Sequence, residues 1–232
     1  MNQVFTLSVD MLGSETKVND ILKGINQSLL RNINYKFQLY GSEALIKKKI
    51  EKYKRLIQVS EIIDCDSFIS MDDKPADIVR TKENSSMYRA IKSVKDNQSD
   101  ALLSFGNTGA LMSLSTLHIK TLEFIRRPAI ASIWPNMKGE SVVLDLGANT
   151  KLDARYLIDN SILGASLALI LFKIDSPSVG LLNVGVEDNK GREEIKLASD
   201  KLKEFSKNIN INYQGYVEGN DISFGKTNVV VT

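Results

Sequence analysis

The chain reads as an α/β protein with a mostly parallel sheet covered by helices, and three observations carry that reading. Short runs rich in Val, Ile, Leu and Phe alternate with longer stretches of helical period. Several of the short runs are apolar almost throughout, as strands are when both faces are buried. The 232 residues, 43% apolar and 25% charged, suffice for a sizeable core, and no repeat, linker or low-complexity tract divides them. The expectation is one domain over residues 1–232.

The strand runs, in order, are VFTLSVD (4–10), YKFQLYG (35–41), ALLSF (101–105), SVVLDL (141–146), SVGLLNV (178–184) and NVVVT (228–232). Each is short and rich in β-branched or other apolar residues. Between them, apolar residues recur every three or four positions in KVNDILKGINQSLL (17–30), SEALIKKKIEKYKRL (42–56), SSMYRAIKSVKDN (85–97), TGALMSLSTLHIKTL (108–122), ARYLIDNSILGASLALILF (154–172) and GREEIKLASDKLKEFSK (191–207), which predicts helices. NVVVT stops at the last residue, whereas every earlier strand run leads into a helix. The sequence is therefore expected to lack a C-terminal part.

Charge and cysteine content narrow the function classes. A net charge of +2 from 30 basic and 28 acidic groups gives no case for nucleic acid as partner. The one dense run, IKKKIEKYKR (46–55), is a solvated helix face or a docking patch for an acidic partner. Cys65 is the single cysteine, so no intramolecular disulfide or CxxC site exists, and a reducing cytosolic compartment fits. MNQVFTLSVD lacks the pattern of a signal peptide, and ILGASLALILFKI (162–174) is too short to span a bilayer. A cytoplasmic protein is expected.

Four strand runs end in a glycine-bearing turn: VDMLGSE (9–15), SFGNTGA (104–110), LDLGANT (144–150) and NVGVEDNKG (183–191). In an open parallel sheet the strand C-termini share the edge where ligands bind, so the four turns are expected to line one site. Glycine lets backbone approach a ligand closely, and the unpaired N–H groups that open the next helix favour an anion. Phosphate fits such a place. Asp10 and Asp145 end strands, Asn107, Asn149 and Asn183 supply amides, and Lys190 adds a cation. No GxGxxG, GxxxxGK[ST] or GxSxG is present, which argues against dinucleotide, nucleoside triphosphate and serine-hydrolase chemistry. His118 lies inside a helical pattern and Cys65 in no motif, so both read as structural.

Taken in order, these segments resemble the bacterial phosphate acyltransferase family known as PlsX. The matching stretches are VDxxG at 9–13, ISMDDKPADIVRTKENSSMYRAI at 69–91, SDALLSFGNTGALM at 99–112, RRPAIA at 126–131, VVLDLGAN at 142–149, PSVGLLNVGVEDNKG at 177–191 and YVEGNDISFGKTNVVV at 216–231. The resemblance implies a Rossmann-like three-layer α/β/α sandwich, related to phosphotransacetylases and isocitrate dehydrogenases. It further implies a homodimer with no metal or organic cofactor, and an acyltransferase that converts acyl-acyl carrier protein and inorganic phosphate into acyl phosphate for phospholipid biosynthesis. A peripheral contact at the inner face of the membrane is a further expectation. On this reading Lys190, Asn149 and Asp10 are catalytic, while Gly106, Asn107, Thr108, Gly109, Gly147, Asn183, Gly185 and Glu187 bind phosphate or the acyl group. The family's DAMGGD is altered here to Met11, Leu12, Ser14 and Glu15, its following proline to Val18, a small residue before GNTGA to Phe105, and an Asp after the GAN turn to Lys151. It also continues past the last strand into DGFxGN. Two alternatives stay open: transfer from an acyl-coenzyme A, and a degenerate fragment that binds without catalysis.

Overall fold

The computed structural model describes residues 4–31, 34–74, 78, 83–149, 151–187, 190–206 and 210–232. It divides into two compact units, Met1–Lys120 and Thr121–Thr232. Each carries its own sheet.

In the first unit, β1 (Phe5–Asp10), β2 (Tyr35–Gly41), β3 (Ser60–Asp64) and β4 (Ala101–Ser104) form a wholly parallel sheet in the order β3-β2-β1-β4. Alternation sorts its side chains between two cores. Val9, Phe37 and Leu39 pack with Ile21, Leu22 and Ile25 of α1 (Val18–Ser28), and with Ile46 and Ile50 of α2 (Glu43–Ile50) and Leu56 of α3 (Lys54–Gln58). On the opposite face Tyr40 and Cys65 pack with Ala90 of α4 (Ser86–Lys95), while Met87 and Ile91 of α4 pack with Ala110 and Leu114 of α5 (Thr108–His118). The result is three layers, helix, sheet and helix.

The predicted helix over 42–56 is broken in two. Ile46 and Ile50 lie one turn apart on a single face, but Leu56 comes six residues after Ile50, about 120° off that face in a continuous helix. The break at residues 51–53 lets all three be buried.

In the second unit, β5 (Ala131–Asn136) and β6 (Gly139–Leu144) form an antiparallel hairpin. With β7 (Ser178–Leu182), β8 (Asn212–Val217) and β9 (Val229–Val231) they make a sheet in the order β5-β6-β9-β7-β8, parallel except at the hairpin. β5, which none of the predicted strand runs covers, turns straight back through Met137 and Lys138. Val142, Leu144, Val179, Leu181, Val229 and Val231 pack with α6 (Ala154–Phe172) and α7 (Glu193–Phe205). Val143, Val217 and Val230 face the other way, toward Ile222 of α8 (Gly219–Phe224). Gly164 is what lets α6 lie close on the sheet, since a Cβ there would fall 2.5 Å from Val229 Cγ1.

Although the apolar run 162–174 is short, the helix that carries it is 19 residues long and passes, by length and composition, as able to cross a membrane. Its Leu157, Ile158, Ala165 and Ala168 are buried in the core of this unit.

Candidate functional site

The first unit brings two of the four turns together at the C-terminal edge of its sheet. Asp10 ends β1 at a position paired with Ser104 of β4. Its carboxylate is 2% exposed and accepts hydrogen bonds from the Ser86 hydroxyl at 2.5 Å, the Ser104 hydroxyl at 2.8 Å and the Leu12 N–H at 3.4 Å. Burial pushes the Asp10 pKa up, and the Ser86, Ser104 and Leu12 bonds recover only part of that cost. Ser104 passes the connection on, because its oxygen accepts the Gly106 N–H at 3.1 Å. Gly106 sits tightly over this group: a Cβ would lie 3.0 Å from Met87 Cε and 3.4 Å from Asp10 Oδ2.

Asn107 is equally committed. Its Oδ1 caps α5 by accepting the Ala110 N–H at 3.0 Å, and its Nδ2 lies 3.0–3.2 Å from the carbonyls of Ser70, Met71 and Asp73. The 104–110 turn therefore spends the Gly106 and Ala110 amides on itself. Thr108 and Gly109, both exposed, lie in the first turn of an 11-residue helix, and their N–H groups have no acceptor among the described residues.

In the second unit the 144–150 turn folds around Asp145, 6% exposed. One carboxylate oxygen accepts the Ile130 N–H at 2.9 Å and the Ala148 N–H at 3.0 Å. The other accepts the Asn149 N–H at 2.9 Å, Asn149 Nδ2 at 3.1 Å and the Tyr156 hydroxyl at 2.6 Å. Burial opposes the charge here too, but these donors, led by Tyr156, outweigh it and hold the Asp145 pKa below the usual carboxylate value. Burial, with the Asp145 carboxylate, pushes the Tyr156 pKa up to about 12. Asn149 also donates to the Pro128 carbonyl and the Tyr156 oxygen, so its amide nitrogen serves the turn rather than open space. Gly147, at φ +94°, has nothing near its Cβ position, and its N–H has no acceptor among the described residues.

The fourth turn, 183–191, contains two residues outside the described set, 188 and 189. Asn183 is 7% exposed and staples the turn, its Nδ2 donating to the Gly185 and Lys190 carbonyls at 3.1 Å each. Gly191, at φ +89°, is required there, since a Cβ would fall 2.0 Å from Asn183 Oδ1. Lys190 Nζ pairs with Glu187 Oε1 at 2.8 Å, with both side chains about half exposed. That pairing raises the Lys190 pKa and lowers that of Glu187. Gly185 packs beneath the pair, its Cβ position 2.6 Å from Glu187 Oε2 and 2.7 Å from Lys190 Cδ.

The residues singled out from the sequence thus fall into two kinds. Asp10, Asn107, Asn149 and Asn183 shape the turns from within. Thr108, Gly109, Gly147 and the Lys190–Glu187 pair present donors or charge to solvent. Ser86, Ser104 and Tyr156 were not among the candidates, and they complete the buried networks. Ser104 was within reach of sequence reasoning, being two residues from a turn glycine, whereas Ser86 lies 76 residues from the Asp10 it bonds. His118 packs edge-on against Tyr88, and Cys65 is buried near Arg89. Among the described residues, no three His, Cys, Asp or Glu side chains are placed to hold a metal ion.

A family model described as "Fatty acid synthesis protein" matches residues 5–232. The chain is similar to the phosphate acyltransferase of Xanthobacter autotrophicus, 44% identical over 97% of this chain and 63% of the relative, and to that of Mesorhizobium japonicum, 43% identical over 97% and 64%. It therefore spans less than two thirds of the length of these curated relatives. Among solved structures it is similar in fold to a phosphotransacetylase from Streptococcus pyogenes (TM-score 0.69, 14% identity, 98% of this chain and 77% of that one). A second is the EutD phosphotransacetylase from Staphylococcus aureus (TM-score 0.66, 16% identity, 99% and 77%). The mostly parallel α/β architecture is thus a Rossmann-like one.

Proposed function

The chain belongs to the PlsX family of phosphate acyltransferases, and from that premise we propose that it serves the transfer of an acyl group from a thioester, acyl-acyl carrier protein, to inorganic phosphate, for phospholipid synthesis. A phosphate oxygen attacks the thioester carbonyl carbon, a tetrahedral oxyanion forms, the C–S bond breaks, and the thiolate leaves to take up a proton. The products are acyl phosphate and the free thiol. Phosphate is itself the nucleophile, so the protein's task is to position it and to stabilise the developing charge.

The observation that carries this reading is the division of amides within the turns. Gly106, Ala110, Ala148 and Asn149 donate to the protein's own oxygens, while the N–H groups of Thr108, Gly109 and Gly147 meet no acceptor among the described residues and suit an outside anion. In this reading Thr108 and Gly109 hold phosphate in the first unit, and in the second unit Lys190, paired with Glu187 at rest, is the cation proposed to act on negative charge. Asp10 acts at one remove. Buried and bonded to two serines, it fixes the turn that carries Thr108 and Gly109 and makes no contact with phosphate. Acyl carrier protein is acidic, and the exposed lysines of α2 and the segment after it favour it as donor by electrostatic steering.

The test is phosphate-dependent thiol release, with acyl-carrier protein and acyl-coenzyme A compared as donors in one assay. Faster release from the carrier protein is expected. Preference for the coenzyme would reassign the donor, and phosphate binding without release from either would make this a binding module. In the active preparation, Lys190→Ala is expected to lower turnover by about a hundredfold, the scale of one lost oxyanion donor. Its melting temperature should change little, because the side chain is half exposed. Unchanged turnover would remove Lys190 from the reaction.

A further inference from the structure

Beside the 104–110 turn, the open edge of the first sheet carries a groove that none of the turn chemistry uses. It encloses about 360 Å³ between α1 and the uncovered side of β4, within the range of ligand sites. Its walls are Leu7, Ile21, Ile25, Phe37 and Leu103, and its upper end is Phe105. Phe105 is 44% exposed and directly precedes Gly106. We propose that this groove receives the acyl chain of the donor, methyl end inward, with the thioester held at the Gly106–Gly109 turn. The inference deepens the acyltransferase reading and rests on it.

Three features favour this occupant. Strand register gives the first. Tyr35, at the far end of the groove, pairs with Phe5 of β1, and Phe105 lies beyond Ser104, the partner of Asp10. Six residues along a strand therefore separate the two ends, roughly 20 Å at about 3.3 Å per residue. That is the span of a long extended acyl chain.

The second feature is charge. Among the described residues the groove's lining contains no Lys, Arg or His, and its one charged group there is Asp20, so neither a carboxylate nor a phosphate finds a counter-ion among them. A neutral hydrocarbon meets no such penalty, and each methylene gains by leaving water. The third is Gly24, in the middle of α1. A Cβ there would meet nothing within 4 Å, so the helix surface facing the groove is left bare.

Gly24 also provides the test. Gly24 is part of the groove's lining, and leucine at this position has room for its first atom and suits a helix better than glycine. Binding of palmitoyl-pantetheine and hexanoyl-pantetheine to the full chain would be measured by displacement of a fluorescent fatty acyl methyl ester, with the melting temperature recorded on the same samples. The native chain is expected to bind the palmitoyl thioester more tightly than the hexanoyl one. Gly24→Leu should weaken palmitoyl binding at least tenfold, leave hexanoyl binding within a factor of two, and not lower the melting temperature.

Phe105→Ala, which opens the upper end without touching the helix, should change the ratio of the two affinities while the fold is kept. Equal affinity for both thioesters in the native chain, or a Gly24→Leu variant that loses both alike or neither, would overturn the groove as the acyl site. The two readings fail separately. Acyl phosphate formation with no length-dependent effect of Gly24→Leu sinks the groove alone, whereas length-selective binding without acyl phosphate formation sinks the enzymatic reading alone.

Discussion

Asp10 in the first unit and Asp145 in the second hold equivalent places, each at the C-terminal end of a central strand and each nearly sealed from water, yet their proton affinities move in opposite directions. The difference is a count of donors. Asp10 is met by two hydroxyls and one long amide contact, too few to offset burial, so its pKa rises. Asp145 is met by three backbone amides, a side-chain amide and the Tyr156 hydroxyl, and its pKa falls. A buried carboxylate is thus not one kind of object. Asp145 is the charged hub of its turn, whereas Asp10 is a reluctant anion that ties a turn down through Ser104.

Removing the hub should cost most. Asp145→Ala strands several buried donors at once, and a loss of about 3 kcal/mol or more is expected, read as a shifted midpoint in denaturant unfolding. Tyr156→Phe removes a single hydroxyl bonded to a charged group, for which about 1.5–3 kcal/mol is expected. Asp10→Asn keeps an acceptor for one serine and removes a carboxylate that burial already disfavours, so its loss at neutral pH should be the smallest, about 1 kcal/mol. A larger loss for Asp10→Asn than for Asp145→Ala would break the comparison.

The pH dependences should carry opposite signs. Asp145 has a folded value below its ordinary 3.8, so it contributes stability above that value, and the contribution is lost as pH falls through the folded pKa. Asp10 has a folded value above 3.8. The protonated form is favoured by folding, so its contribution is complete below 3.8 and is lost as pH rises through the folded pKa. The stability gap between native chain and Asp145→Asn should therefore widen with rising pH across the acid range, and that between native chain and Asp10→Asn should narrow. Parallel slopes would show that the two carboxylates are alike after all.

The comparison also marks what the sequence disclosed. The long helices and the strands β1, β2, β4, β6, β7 and β9 were legible because their periodicity matches what they bury. Three strands were not. β3 is a five-residue edge strand with no fully buried position. β5 lies at the sheet edge, carries Pro135, and leaves Ile133 and Trp134 exposed, so it shows no alternation. β8 is interrupted by Gly215 at φ +85°, where its register with β7 shifts.

Site residues followed the same rule. The turn glycines and the strand-end aspartates announce themselves locally, but whether an aspartate is charged depends on partners such as Ser86 and Tyr156, which only tertiary packing supplies. The sequence likewise suggested that Asn107, Asn149 and Asn183 act on substrate. In the folded chain their amides are occupied in building the turns that carry the free donors.

That distinction between committed and free amides is the central claim, and amide chemical shifts followed by NMR during titration with inorganic phosphate test it most directly. The N–H groups of Thr108, Gly109 and Gly147 should move in a saturable way with phosphate concentration. Those of Gly106, Ala110, Ala148 and Asn149, already bonded to Ser104, Asn107 and Asp145, should move far less. Saturable shifts confined to the second group, or none at any of the seven, would contradict the account.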